Sequence, residues 1–336
     1  MDKPLSYDSL KSVLKHMSLK KREAINRQIP ALRTISSSVP YVLENVVISN
    51  ATFEIDGRRW FTKSAWLQKS DLPIILVPTR DVVTLEETEL TILQGNFSQA
   101  QFRVYKSDEE VLEQLFDEYI RNGTVVRGSL CIDGIPQFLK RRRENEGDFK
   151  IKVTNLELDI YGTKDYDYFI RFIDLDVLEN VKFLAVENSL ELLDKPEIQT
   201  CKNLTAIVKF GPDFPSVDQL RRLRNQHLYL KYYGFSLHEL QLLVEDWITT
   251  GREVGTRFTW ENHQFELEDV LGILQHLKAH FGAVEAGSNG NSTTLKMRED
   301  RELAMFCDKI QSGRDINYLF EMQVVAITPA TGIGPT

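Results

Sequence analysis

The side chains that could do chemistry are sparse. Of six histidines (His16, His227, His238, His263, His276 and His280), only His276 and His280 stand four apart in a stretch with helical spacing. That separation lets two imidazoles meet one metal ion. The residues between them are Leu277, Lys278 and Ala279, so no H-E-x-x-H motif forms, and both are expected to be surface or cap histidines. Cys131, Cys201 and Cys307 are an odd, dispersed set, neither a disulfide framework nor a zinc spacing. Each is expected to be a small buried hydrophobe in a reducing, intracellular setting. No G-x-G-x-x-G, phosphate-binding P-loop or G-x-S-x-G elbow occurs. Carboxylate pairs such as Asp174/Asp176 and Glu299/Asp300 are ordinary in a chain with 49 acidic residues. The expectation is a non-catalytic protein with no cofactor and no metal ligands.

Composition narrows the partners. The 336 residues carry 41 Lys plus Arg against 49 Asp plus Glu, a net charge of −8, which argues against a general nucleic-acid binder. The four-residue basic run Lys140-Arg141-Arg142-Arg143 reads as a solvated loop rather than an import signal or a nucleic-acid patch. No apolar run approaches the roughly 20 residues of a membrane span, and the N-terminus has no apolar stretch of the kind a secretory signal needs. The five N-x-S/T sequons are therefore read as chance matches. With 42% hydrophobic residues the chain can build a substantial core.

The elements that would position any site follow from periodicity. Leu10, Val13, Leu14 and Met17 fall on one face of a helix, with Asp8 and Ser9 near its cap. Ala24, Ile25 and Ile29 continue into a second helix that Pro30 stops. Strands then flank Asp56-Gly57, a strong hairpin signal. Further strands are expected at Thr88–Leu93 and Gln101–Tyr105. Ser107 with Glu110 has capping-box spacing ahead of the stripe Val111, Leu112, Leu115, Phe116, Tyr119 and Ile120. Ser236 with Glu239 repeats the device ahead of Leu240, Leu243, Val244 and Trp247.

Between and beyond these helices, short apolar strands begin near residues 130, 156, 183, 204, 228 and 258, about 21 to 30 residues apart and close to the period of leucine-rich repeats. The expected fold is α/β: a small N-terminal helical segment (1–45), a β-rich connecting region (46–105) and an irregular leucine-rich-repeat-like strand–helix array (106–328). Residues 283–294 read as a flexible loop and 329–336 as a disordered tail. An ordinary α/β domain is the alternative. By alternation, Glu157, Glu187, Lys209, Tyr229, Lys231 and Thr259 are candidates for the exposed strand face.

The segment Pro4-Leu5-Ser6-Tyr7-x-x-Leu10-Lys11-x-Val13-Leu14, then Lys21-Arg22, Ile29-Pro30-Ala31-Leu32 and Val39-Pro40, resembles the opening of nematode F-box C-type proteins. Thr52-Phe53-x-Ile55-Asp56-Gly57, Phe116-Asp117-x-Tyr119-Ile120 and Ser236-Leu237-x-Glu239-Leu240 with Trp247-Ile248 are similar to the regions that follow in that lineage. The resemblance implies a substrate receptor of a cullin–RING (SCF-type) ubiquitin ligase. Pro4, Leu5, Leu10, Val13, Leu14, Ile25 and Ile29 would then lie at or support the interface with a Skp-type linker subunit and, through it, a cullin. The array would hold an unknown protein substrate, with no nucleic acid and no membrane as partner. The chain departs from the family at the end of the box, where Ile29-Pro30-Ala31-Leu32 replaces a Val-Cys…Trp signature. The alternative is a protein-interaction module with a degenerate F-box that recruits no ligase.

Overall fold

The computed structural model describes residues 6–65, 87–94, 98–142, 149–185, 190–208, 215–232, 234–262, 264–285, 291–298, 300–312 and 315–327. The chain divides into two compact units, residues 1–178 and 179–336.

The first unit opens with helices α1 (Tyr7–Lys15), α2 (Leu19–Gln28) and, after a 3-10 turn over Pro30–Leu32, α3 (Arg33–Ser37). The cap of α1 is Ser6 rather than Asp8 or Ser9: its hydroxyl accepts the Ser9 amide at 3.2 Å, leaving Asp8 in the first turn where its charge suits the helix dipole. Strands β1 (Val42–Leu43), β2 (Val46–Ser49), β3 (Thr52–Ile55), β4 (Arg58–Ala65), β5 (Glu87–Gln94) and β6 (Ser98–Val104) follow. Next come α4 (Asp108–Tyr119), β7 (Val125–Asp133), α5 (Gln137–Arg141), β8 (Lys152–Leu158), α6 (Ile160–Lys164) and α7 (Tyr166–Phe169). The strand order is β8-β7-β2-β3-β4-β5-β6, with β1 also on β7. β8, β7 and β2 run parallel, and β2 to β6 form an antiparallel meander.

The β3–β4 turn works as Asp-Gly requires. Asp56 and Gly57 take φ of 50° and 78°, and the Asp56 carboxylate accepts the Glu44 and Asn45 amides at 2.8 and 3.0 Å. The capping box of α4 forms, Glu110 N–H donating to Ser107 Oγ at 3.2 Å and Ser107 N–H to Glu110 Oε2 at 3.0 Å. α4 packs on β3 and β4, burying Val111, Leu112 and Phe116 and laying Tyr119 against Phe53 and Trp60.

The second unit contains β9 (Asn180–Ala185), α8 (Pro196–Thr200), β10 (Asn203–Val208), α9 (Val217–Arg222), β11 (His227–Lys231), α10 (Leu237–Thr250), β12 (Arg257–Glu261) and α11 (Leu267–Phe281). Strands β13 (Val284–Glu285), β14 (Ser292–Lys296), β15 (Arg301–Ser312) and β16 (Asp315–Ala326) complete it. β9, β10, β11 and β12 are parallel and in step, so that Val181, Leu204, Leu228 and Phe258 form one buried row and Phe183, Ala206, Leu230 and Trp260 the next. α10 buries Leu240, Leu243, Val244 and Trp247, and α11 buries Val270, Leu274 and Leu277. α10 ends on Gly251 in the left-handed conformation, φ 68°.

The six expected strand starts all fall inside observed strands, and the mixed α/β class holds. The strand–helix alternation stops at α11, however. β16 pairs antiparallel with β12, and β15, β14 and β13 extend the sheet by antiparallel pairing, so the layout is sheet-dominated beyond β12. At the ends of the expected 283–294 loop, Val284 and Glu285 pair with Thr294 and Thr293 as strands. Residues 286–290 of that segment lie outside the described residues. The tail at 329–336 lies outside the described residues. Among the described residues, no helix is long and apolar enough to cross a membrane.

Candidate functional site

The second unit displays a polar sheet face. Because side chains alternate along a strand, the apolar rows of β11 and β12 turn to the helices, and His227, Tyr229 and Lys231 stand beside Arg257, Thr259 and Glu261 on the other side. Pairing of β12 with β16 brings Glu321 next to Thr259.

Two carboxylates organise this face. Glu321 is 2% exposed and accepts Arg257 Nη2 on both oxygens, at 2.5 Å each, and Thr259 Oγ1 at 3.0 Å. Glu261 is 5% exposed and accepts the Tyr229 hydroxyl on one oxygen and Lys231 Nζ on the other. Burial pushes the Glu261 carboxyl above its ordinary range. Both carboxylates are already held by cations whose side chains remain 31–40% exposed. The pattern is a row of hydrogen-bonded polar side chains on paired strands. A cleft of about 330 Å³ opens there, lined by His227, Tyr229, Arg257, Thr259, Asp308 and Glu321 among others.

Of the face residues expected from alternation, Tyr229, Lys231 and Thr259 meet here. Glu157 lies half-buried on β8 in the first unit, and Glu187 and Lys209 lie outside the described residues. Glu321 and Arg257 are 64 residues apart in sequence, and only the β12–β16 pairing joins them. The alternation of β12 could have flagged Arg257, whereas β16 breaks its own pattern with Leu319-Phe320 and Val324-Val325.

The N-terminal helices sort the other expected residues. Pro4 and Leu5 lie outside the described residues. Leu14 is buried, Leu10 and Ile25 are half-buried, and Val13 and Ile29 are 40% and 49% exposed. Tyr7 is also exposed, with Lys11 Nζ 4.4 Å from its ring centroid. The inward face of α2 is Leu19 and Arg22 instead of Ile25 and Ile29. Arg22 is fully buried, donating to Ser36 Oγ at 2.8 Å, to the Pro40 carbonyl at 3.1 Å and to the Ser36 and Val39 carbonyls, with its guanidinium 3.9 Å from the Tyr41 ring centroid. Next to it, Glu23 takes the fork of Arg58 at 2.7 and 2.8 Å, tying α2 to β4.

His276 and His280 are exposed with parallel rings 6.4 Å apart. Gln241 Nε2 lies 2.5 Å from His276 Nε2, and Glu245 lies 3.8 Å from His280 Nε2. Among the described residues, no group of three His, Cys, Asp or Glu is placed to hold a metal ion. The basic run is not simply solvated. Lys140 pairs with Asp165 at 2.6 Å, and Arg142 pairs with Asp117 while lying over Phe116 and Phe138. Its position at the end of α5 turns these side chains onto α4 and α7, an arrangement that charge alone cannot disclose. Arg141 is exposed, and Arg143 lies outside the described residues.

A family described as a domain of unknown function (DUF3557) matches residues 109–264. The match runs from α4 through β12, and leaves out both the N-terminal helices and the C-terminal antiparallel strands. No curated protein and no solved structure matches the chain.

Proposed function

We propose that this chain is a non-catalytic substrate-recognition adaptor of a cullin–RING (SCF-type) ubiquitin ligase. The N-terminal helices engage a Skp-type linker subunit, and the following strand–helix region engages a protein substrate. The observation that carries the reading is the two-sidedness of the N-terminal segment: Leu14, Leu19 and Arg22 are buried, whereas Val13 and Ile29 remain exposed. An apolar side chain left at a helix surface gains by entering a partner's groove. We read the parallel run β9 to β12 as an irregular leucine-rich-repeat-like array, whose polar face around Tyr229, Lys231 and Thr259 suits recognition of a protein surface. The site of action is a reducing intracellular compartment, in keeping with three cysteines dispersed in sequence, of which Cys201 is buried and Cys131 and Cys307 are half-buried rather than buried as expected.

A second reading has an observation of its own. Arg22 and the Glu23–Arg58 pair bind the helices into the first unit, as a structural element would be bound. On that reading the chain is a protein-interaction module that recruits no ligase. Affinity purification of the tagged full chain, quantified by mass spectrometry against a Val13→Asp/Ile29→Asp variant, separates the two. The adaptor reading expects linker and cullin subunits with the unmutated chain and their loss with the variant. Their absence from both favours the module.

A further inference from the structure

The meander of the first unit ends on β6, an edge strand left open among the described residues. Gln99, Ala100, Gln101, Phe102 and Arg103 are all exposed, Phe102 at 51%. An open edge is a template for another strand, and natural edges are cut short, bulged or studded with proline and charge. β13, at the edge of the second unit, is cut to 2 residues. β6 has 7, pairs with β5 in an unbroken register, contains no proline and carries one charged side chain, Arg103. The pairing also shows which of its backbone groups are open. Thr62 N–H donates to the Ala51 carbonyl at 3.0 Å, so Thr62 turns its backbone groups to β3 and Phe61 turns its own to β5. Phe61 faces Thr91, which therefore bonds to β4, and Leu90 and Ile92 bond to Phe102 and Ala100 on β6. The N–H and C=O groups of Gln99, Gln101 and Arg103 are left pointing away from the sheet.

We propose that β6 pairs antiparallel with β6 of a second copy of this chain, about a two-fold axis at Gln101. Gln101 then faces Gln101 of the other copy and Gln99 faces its Arg103, so every outward N–H and C=O of Gln99, Gln101 and Arg103 meets its complement. Centring the pair on Ala100 or on Phe102 carries Arg103 or Gln99, respectively, past the end of the other strand, and centring it on Arg103 sets two guanidinium groups face to face. Side chains fit the same centre. Ala100 and Phe102 stand on the side of the sheet that carries Trp60, Ile92 and Leu90, beyond the strands that α4 covers. Leu90 and Ile92 are half-buried there. In the pair, Phe102 lies against Ala100 of the other copy, large against small, and Ile92, Ala100, Phe102 and Leu90 become one apolar row across the joint. Charge fits it too. Two chains of net charge −8 repel, and the joint falls where charge is low: Arg103 has Glu89 as its neighbour on β5 and meets a neutral amide side chain. Such an isologous contact closes on itself and leaves no free β6 edge to recruit a third chain. The pairing does not depend on the ligase reading.

The test is analytical ultracentrifugation of the full chain from about 1 to 100 µM, the range over which a transient homodimer dissociates on dilution. Twice the monomer mass is expected at the upper end. Gln101→Pro removes an outward N–H and leaves the β5–β6 ladder intact, and Phe102→Asp changes an exposed side chain. Both variants should keep the melting temperature of the unmutated chain and weaken the dimer about tenfold or more. The register is read at position 99, which faces Arg103 of the other copy. Gln99→Glu should tighten the dimer, Gln99→Lys should weaken it, and added salt should shrink the difference. Hydrogen exchange at the amides of Gln99, Gln101 and Arg103 should slow as concentration rises. A monomer at about 100 µM would overturn the proposal, whether those amides exchange freely or are protected by another segment of the same chain. A dimer indifferent to Gln101→Pro and Phe102→Asp would overturn it by placing the contact elsewhere, and equal affinity of the two Gln99 variants would overturn the register.

Discussion

Replacing Arg22 by Met should cost the first unit about 3–4 kcal/mol. The guanidinium serves four acceptors, the Ser36 hydroxyl and the carbonyls of Ser36, Val39 and Pro40. At a net value of about 1 kcal/mol per hydrogen bond, their loss amounts to about 4 kcal/mol. The contact with the Tyr41 ring adds about 1 kcal/mol. Against this, burial disfavours the charged guanidinium and holds its pKa below the ordinary value, so removing the charge returns about 1–2 kcal/mol. Met keeps most of the packing volume, so the figure isolates the polar contribution. For a unit of this size, 1 kcal/mol corresponds to about 2–4 °C, giving a fall in melting temperature of roughly 6–16 °C. The assay is denaturant unfolding of the full chain with hydrogen exchange to localise the change. Protection should fall over residues 19–40 first, and Arg22→Lys should restore only part of it, since an ammonium cannot reproduce the fork. A shift under about 0.5 kcal/mol, with protection over 19–40 unchanged, would refute the reasoning. Water would then be serving those carbonyls and the helices would not be anchored through Arg22.

Three further outcomes are expected. Burial raises the Glu261 carboxyl above 4.5, so between that value and its raised one the folded chain holds a proton that the unfolded chain has released. Its contribution therefore declines as pH rises through that window, and Glu261→Gln should flatten the stability–pH curve there; an unchanged slope would contradict the burial argument. Burial lifts the Cys201 thiol to about 12, so at pH 8 iodoacetamide should modify Cys201 only after denaturation, and labelling of the folded chain at the rate of a free thiol would count against it. Ser236→Ala removes the acceptor of the Glu239 amide, at 3.2 Å, and should destabilise the second unit by about 1 kcal/mol in a denaturant titration. No measurable change would mean that α10 is set by packing alone.

What could be read before the fold was known depended on how local each signal is. Asp56-Gly57 and the boxes at Ser107/Glu110 and Ser236/Glu239 are complete within a few residues, and each forms as expected. The parallel strands were legible because Leu204-Thr205-Ala206-Ile207-Val208 and its counterparts alternate cleanly. The β15–β16 pair was not, although only Gly313 and Arg314 separate two strands of 12 residues each. Both strands mix charged residues with adjacent apolar pairs, and period two is blurred. Arg22 ends a basic Lys20-Lys21-Arg22 stretch, and nothing local says that three carbonyls some 14 to 18 residues later converge on it. The Glu321–Arg257–Thr259 cluster needs a register between distant strands, which composition does not encode.

The most direct measurement is the affinity of the purified full chain for a purified Skp-type linker subunit, by biolayer interferometry, beside a Val13→Asp/Ile29→Asp variant. Both substituted positions are exposed, so the variant should keep the melting temperature of the unmutated chain. The account predicts a Kd on the order of 1 µM or tighter for the unmutated chain and at least a hundredfold loss for the variant, equivalent to about 2.8 kcal/mol. Absence of binding by a folded, unmutated chain at tens of micromolar would contradict it, as would equal binding by the two proteins.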